Sequence, residues 1–176
     1  VKLNILALVV AAGFMSSSFA AAPEAGKGQI KFTGSIIEGP CSITPGTSNQ
    51  TIQLGQVSAT ALKDGGKSTP VTFQIDLEKC DTATLKNGVT ATFTGPESST
   101  SVDLLGITGS AKGASIVLTD GAGTPIKFGT ATSPQLIMDG SNTLVFSAYL
   151  QGDATEGAVI TPGEFTSIAN YALAYE

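Results

Sequence analysis

The chain has 176 residues, 41% of them hydrophobic and 13% charged, with a formal charge of −5 and a sequence pI near 4.6. That length fits one domain with a sizeable core. The nine basic residues are all lysines and form no cluster, which argues against electrostatic binding to nucleic acid. Without arginine there is no bidentate phosphate or carboxylate clamp. Without histidine there is no Ser/His or Cys/His dyad, no imidazole metal ligand and no simple switch near neutral pH.

The first segment reads as an export signal. Lys2 supplies a basic start, Leu3 to Phe14 an apolar stretch, and Ser16 to Ala20 a small-residue exit, with cleavage expected after Ala20. Asn4 and the serines keep the apolar run well short of the roughly 20 residues that a bilayer span needs. No cysteine lies near the cleavage point, so a lipoprotein anchor is not expected. Export places Cys41 and Cys80 in an oxidising compartment, where an even cysteine count predicts one disulfide. Chain-entropy arguments give such a bridge up to roughly 4 kcal/mol of stabilisation. A redox or metal pair would need C-x-x-C spacing or companion ligands, and the sequence has neither.

Beyond the signal the chain reads as strands. Gly28, Ile30, Phe32, Gly34 and Ile36 alternate with Gln29, Lys31, Thr33 and Ser35. Shorter alternation follows at Ile52 and Leu54, then a short helical turn around Ser58 to Lys63. The clearest half-buried strand has Val71, Phe73, Ile75 and Leu77 on one face and Thr72, Gln74, Asp76 and Glu78 on the other. Val89, Ala91 and Phe93 continue the pattern; Thr94 to Ser101 is a polar, serine-rich loop. Ile116 to Leu118 and Leu136 to Met138 are short apolar runs, and Leu144, Phe146, Ala148 and Leu150 form another strand. Asp64-Gly65-Gly66, Asn87-Gly88, Asp120-Gly121, Asp139-Gly140 and Thr161-Pro162-Gly163 supply the reversals between them. The fold class is all-β, and short strands with a single disulfide suggest an immunoglobulin-like sandwich.

Both ends carry strands of special interest. The segment from Gly28 has two readings: the first strand of its own sandwich, or a strand offered elsewhere. Phe165, Ser167, Ala169, Tyr171, Leu173 and Tyr175 alternate up to the last residue, so no hairpin partner follows and an open edge is expected beside them.

These pieces together resemble the major structural subunits of chaperone-usher pili, the type 1 and P fimbrial family of Gram-negative bacteria. The resemblance spans the chain and rests on the signal segment, Gly28-Gln29-Ile30-Lys31-Phe32-Thr33-Gly34, Pro40-Cys41-Ser42-Ile43, Ile52-Gln53-Leu54-Gly55-Gln56-Val57, and Cys80-Asp81. It is completed by Gly163, fourteenth from the end, and penultimate Tyr175. Two departures are the terminal Tyr175-Glu176, where many relatives have Tyr-Gln, and Val1 in place of methionine.

The resemblance implies an incomplete immunoglobulin-like sandwich that lacks its final strand, with residues 1–20 as signal peptide, 21–34 as donor-strand extension and 35–176 as pilin domain. A periplasmic chaperone would fill the groove transiently. At an outer-membrane usher the extension of the next, identical subunit would replace it, building a head-to-tail fibre with other fimbrial subunits on the cell surface. Ile30 and Phe32 would be the inserted anchors, with Gly28 and Gly34 where the wall leaves no room. Gly163, Phe165, Tyr171, Leu173 and Tyr175 would line the acceptor groove and chaperone site, and the Glu176 carboxyl terminus would be held by chaperone cations.

Other functions fit less well. A two-domain adhesin needs a receptor-binding domain for which the chain has no room, leaving a minor adaptor or tip-associated subunit as the alternative. A carboxylate-based glycosidase would need two of Asp120, Asp139, Asp153 and Glu156 to converge. Asp139-Gly140-Ser141-Asn142 lacks calcium-loop spacing. The expectation is therefore a structural protein, not an enzyme, without cofactor or metal.

Overall fold

The computed structural model describes residues 26–83 and 85–176, so the expected signal peptide and the start of the expected extension lie outside the described residues. The chain divides into two units, Val1–Ile36 and Ile37–Glu176. In the first, residues 26–36 form no strand or helix and every one is exposed.

The second unit begins with β1 (Ser42–Ile43), the single-turn α1 (Pro45–Ser48) and a 3-10 helix (Ala59–Gly65). Strands β2 (Val71–Cys80), β3 (Val89–Thr94), β4 (Thr108–Gly109), β5 (Ala114–Asp120), β6 (Gly140–Gly152), β7 (Phe165–Thr166) and β8 (Asn170–Tyr175) follow. One sheet has the order β1-β2-β6-β5; β3 pairs with β8, and β4 with β7. All these pairings are antiparallel.

Alternation explains where the core sits. Ile75 and Leu77 of β2 and Leu144, Phe146, Ala148 and Leu150 of β6 bury one face of the four-stranded sheet. Val89, Ala91 and Phe93 of β3 bury the facing layer. Cys41 and Cys80 are joined in a disulfide, as expected, and both are buried. Just before the bridge, Lys79 adopts φ 54° where the β2–β6 register slips between Leu77 and Cys80. This bulge returns the cysteine to the inner face after the alternation would have turned it outward.

Four local readings change. The helical turn around Ser58 to Lys63 is a kinked 3-10 helix whose N-cap Ser58 accepts the Thr60 N–H. Ile52 and Leu54 alternate in burial but belong to no strand, because among the described residues no strand lies beside them to form a ladder. Leu136 to Met138 is also not a strand: Gln135 makes one bridge to Val89, after which Leu136 and Met138 turn to solvent. The loop from Thr94 to Ser101 is more than polar covering. Ser98 is buried and shares a 2.5 Å hydrogen bond with Ser115 of β5, which in turn lies 3.0 Å from the Thr100 hydroxyl.

Candidate functional site: a groove beside the last strand

β8 pairs with β3 along its whole length, from Val89↔Tyr175 to Thr94↔Asn170. β7, just before it, pairs with β4. Among the described residues no strand pairs with the opposite edge of either. Facing that edge is the irregular segment 49–57, and between the two walls lie adjoining hollows of about 670 and 730 Å³.

Tyr171, Phe73 and Phe93 border the first hollow; Gly163, Phe165 and Ile160 border the second. Ile52, Leu54, Ile116 and Ile168 border both, so the two form one apolar trough. Its floor is the same core that β2, β5 and β6 build. Ile168 is 72% exposed at the junction. Alternation missed this residue because its side chain has the opposite parity to Phe165 and Tyr171. β pairing is interrupted at residues 167–169, where the Ser167 hydroxyl donates to the Gly106 carbonyl at 2.6 Å.

The other expected groove residues separate into two groups. Gly163 is a glycine for steric reasons: a Cβ there would meet the Ser110 side chain and the Ala111 backbone nitrogen. Tyr171 and Phe165 border the trough. Leu173 and Tyr175 continue the same face of β8 and pack on the core, but they border neither hollow. The Tyr175 hydroxyl is buried without a hydrogen-bond partner. Burial, and secondarily the neighbouring Tyr171, push its pKa up. Burial also raises Tyr171, whose hydroxyl donates to the Ser48 carbonyl at 3.5 Å across the trough. Glu176 turns its backbone onto the Lys86-Asn87-Gly88 reversal. Its carbonyl oxygen accepts those three N–H groups at 2.8, 2.8 and 3.2 Å, and its own N–H donates to Gly88.

In the expected extension, Ile30 and Phe32 are 78% and 88% exposed. A Cβ added at Gly28 or Gly34 would meet nothing within 4 Å among the described residues. Three of the four carboxylates weighed as catalytic groups accept local or long-range hydrogen bonds. Asp120 accepts the Ala122 and Thr124 N–H groups, Asp139 the Thr82 hydroxyl and N–H, and Asp153 the Thr155 N–H and hydroxyl. Those bonds hold the Asp139 and Asp153 carboxyls below the ordinary carboxylate value.

Known proteins share this architecture. The family model described as "Fimbrial protein" matches residues 30–176. The Fimbria A protein of Serratia marcescens is 54% identical over 175 residues, covering 99% of each chain. The major MR/P fimbria protein of Proteus mirabilis is 52% identical over 177 residues, again with 99% of each covered. Among solved structures, the P pilus rod subunit PapA is 33% identical with a TM-score of 0.70, covering 78% of this chain and all (100%) of that one. A subunit from the structure of a chaperone-usher pilus is 31% identical with a TM-score of 0.77, over 89% of this chain and 100% of that one. An immunoglobulin-like sandwich with an open last strand, matched along nearly its whole length to major pilins, makes this chain a member of the fimbrial protein family and a structural subunit of a bacterial surface fimbria.

Proposed function

We propose that this subunit polymerises by donor-strand exchange, residues 28–34 of one copy filling the trough beside β7 and β8 of the next. The observation that carries the reading is the outer edge of β8, beside an apolar trough with 49–57 as its opposite wall; among the described residues no strand pairs with either. An added strand would satisfy the edge through backbone hydrogen bonds while alternate side chains enter the hollows. Ile30 and Phe32 have the right parity and chemistry, and each contributes roughly 1.5–3 kcal/mol if fully buried. Before assembly a periplasmic chaperone occupies the same trough, Leu173, Tyr175 and Glu176 form the rest of its site, and an outer-membrane usher exchanges it for the next subunit. Residues 1–20 direct passage to the periplasm, and residues 21–34 are the extension.

Cells producing the chain with Ile30→Asp and Phe32→Asp should export a folded, disulfide-bonded subunit but display no fibres in electron microscopy. Fibres of normal abundance would overturn the donor assignment.

A further inference from the structure

The wall at residues 49–57 belongs to no sheet, yet one of its ends is fixed. β1 leaves the β2 ladder after Ile43, and the Thr44 N–H still donates to the Asp76 carbonyl at 2.9 Å. α1 then lifts the backbone from the β2 edge, and side chains take over the pairing. The Asp76 N–H donates to the Thr47 hydroxyl at 3.0 Å. Gln50 Nε2 donates to the Gln74 carbonyl at 2.7 Å and to the Thr47 carbonyl at 2.7 Å. A primary amide carries two N–H donors, so both bonds form together. Gln50 also borders both hollows of the trough.

We propose that Gln50 is a positioning residue for strand capture, a side-chain clip that holds the acceptor wall against β2 while a strand occupies the trough. The proposal rests on the donor-strand reading above. Gln50 is exposed in the unfilled subunit, where water competes for its partners and the clip is weak. A strand laid along the trough excludes that water and lowers the local dielectric, strengthening the same two bonds. The clip therefore acts mainly after docking: it slows release of the strand and adds little to the empty fold.

The test uses the full chain carrying Phe32→Asp, so that its own extension is a poor donor, and a fluorescent peptide of residues 26–36 as probe. Gln50→Met keeps length without donors, and peptide release should become about tenfold faster, equivalent to about 1.4 kcal/mol. The thermal midpoint of the peptide-free protein should move by less than about 2 °C, as for an exposed substitution. Gln50→Glu separates hydrogen bonding from shape. Its carboxylate cannot donate at neutral pH, whereas below about pH 4.3 the protonated acid returns one donor and release should slow again. Asp76, which accepts from Gln74 and Thr143, and Glu78, opposite Ser42, are the titratable groups of β2 on this edge, so the Gln50 protein is followed over the same pH range as control.

Release from Gln50→Met at the parental rate overturns the proposal. So does an equal loss of stability in the peptide-free protein, which would make Gln50 a structural residue only. Failure of the peptide to bind even when Gln50 is present overturns the donor-strand reading itself and the proposal with it.

Discussion

Phe93 of β3 meets Phe146 of β6 edge-on, with ring centroids 5.1 Å apart and planes at 79°. This contact fastens the two layers of the sandwich, and it extends outward on both sides. Phe146 stacks on Phe73 at 5.7 Å, and Phe93 lies 6.3 Å from Tyr171 at the trough. Phe146 is fully buried. Phe146→Ala should destabilise the subunit by about 3–5 kcal/mol, read as a lower urea midpoint. A loss under about 1 kcal/mol would mean the layers are held elsewhere.

The trough should respond differently. Ile168 is exposed, so Ile168→Asp should leave the urea midpoint within about 0.5 kcal/mol of the parent. Fibre yield in electron microscopy should nevertheless collapse, because the charge falls where the two hollows join. Intact fibres would remove Ile168 from the docking surface.

Removing the disulfide with Cys41→Ala and Cys80→Ala should cost about 2–4 kcal/mol, measured by denaturation of the oxidised parent against the variant. The bridge links positions 39 residues apart, so its main effect is on the freedom of the unfolded chain.

Ser98 and Ser115 provide a local test of the loop that crosses the β5 edge. A double-mutant cycle with Ser98→Ala and Ser115→Ala should give a coupling of about 1 kcal/mol. Additive losses would show that the loop is held instead by its backbone bonds, through the bridges Glu97↔Leu105 and Leu105↔Ile116.

Asp139 gives a pH dependence with a definite sign. Bonds from the Thr82 hydroxyl and then its N–H lower the folded carboxyl below its ordinary 3.8, so the unfolded state binds the proton more tightly. The stabilisation is therefore fully present above the unfolded value and is lost as the pH falls through the lower folded value. Asp139→Asn should lower stability at neutral pH, where the carboxylate's contribution is fully present, and flatten the fall of the profile below pH 3.8, so that variant and parent converge in acid. An unchanged acid profile would assign the dependence to Asp153, which Thr155 lowers in the same way.

The strands and core were legible wherever alternation coincided with an internal ladder, as at Val71–Cys80 and Gly140–Gly152. Alternation failed at Ile52 and Leu54 for an instructive reason. It reports which face a side chain shows, whereas a strand also needs a neighbour to bond with. Alternation singled out Phe165 and Tyr171, which border the hollows, but not Ile168 and Gln50, which border them too. Ile168 depends on a break in β pairing, and Gln50 on a side chain standing in for backbone. Ser98 looked like loop surface because its burial comes from β5, seventeen positions onward in the chain.

The bridge between Cys41 and Cys80 also fixes a route for mechanical load. In a fibre assembled as proposed, tension arriving along residues 26–36 would enter unit 37–176 through the short stretch that ends at Cys41. β1 is only two residues long, too little ladder to resist peeling by itself. The covalent link passes the pull to the end of β2, which is flanked by β1 and β6 within the four-stranded sheet. The load so passes around β1 and into the four-stranded sheet without stripping the first strand.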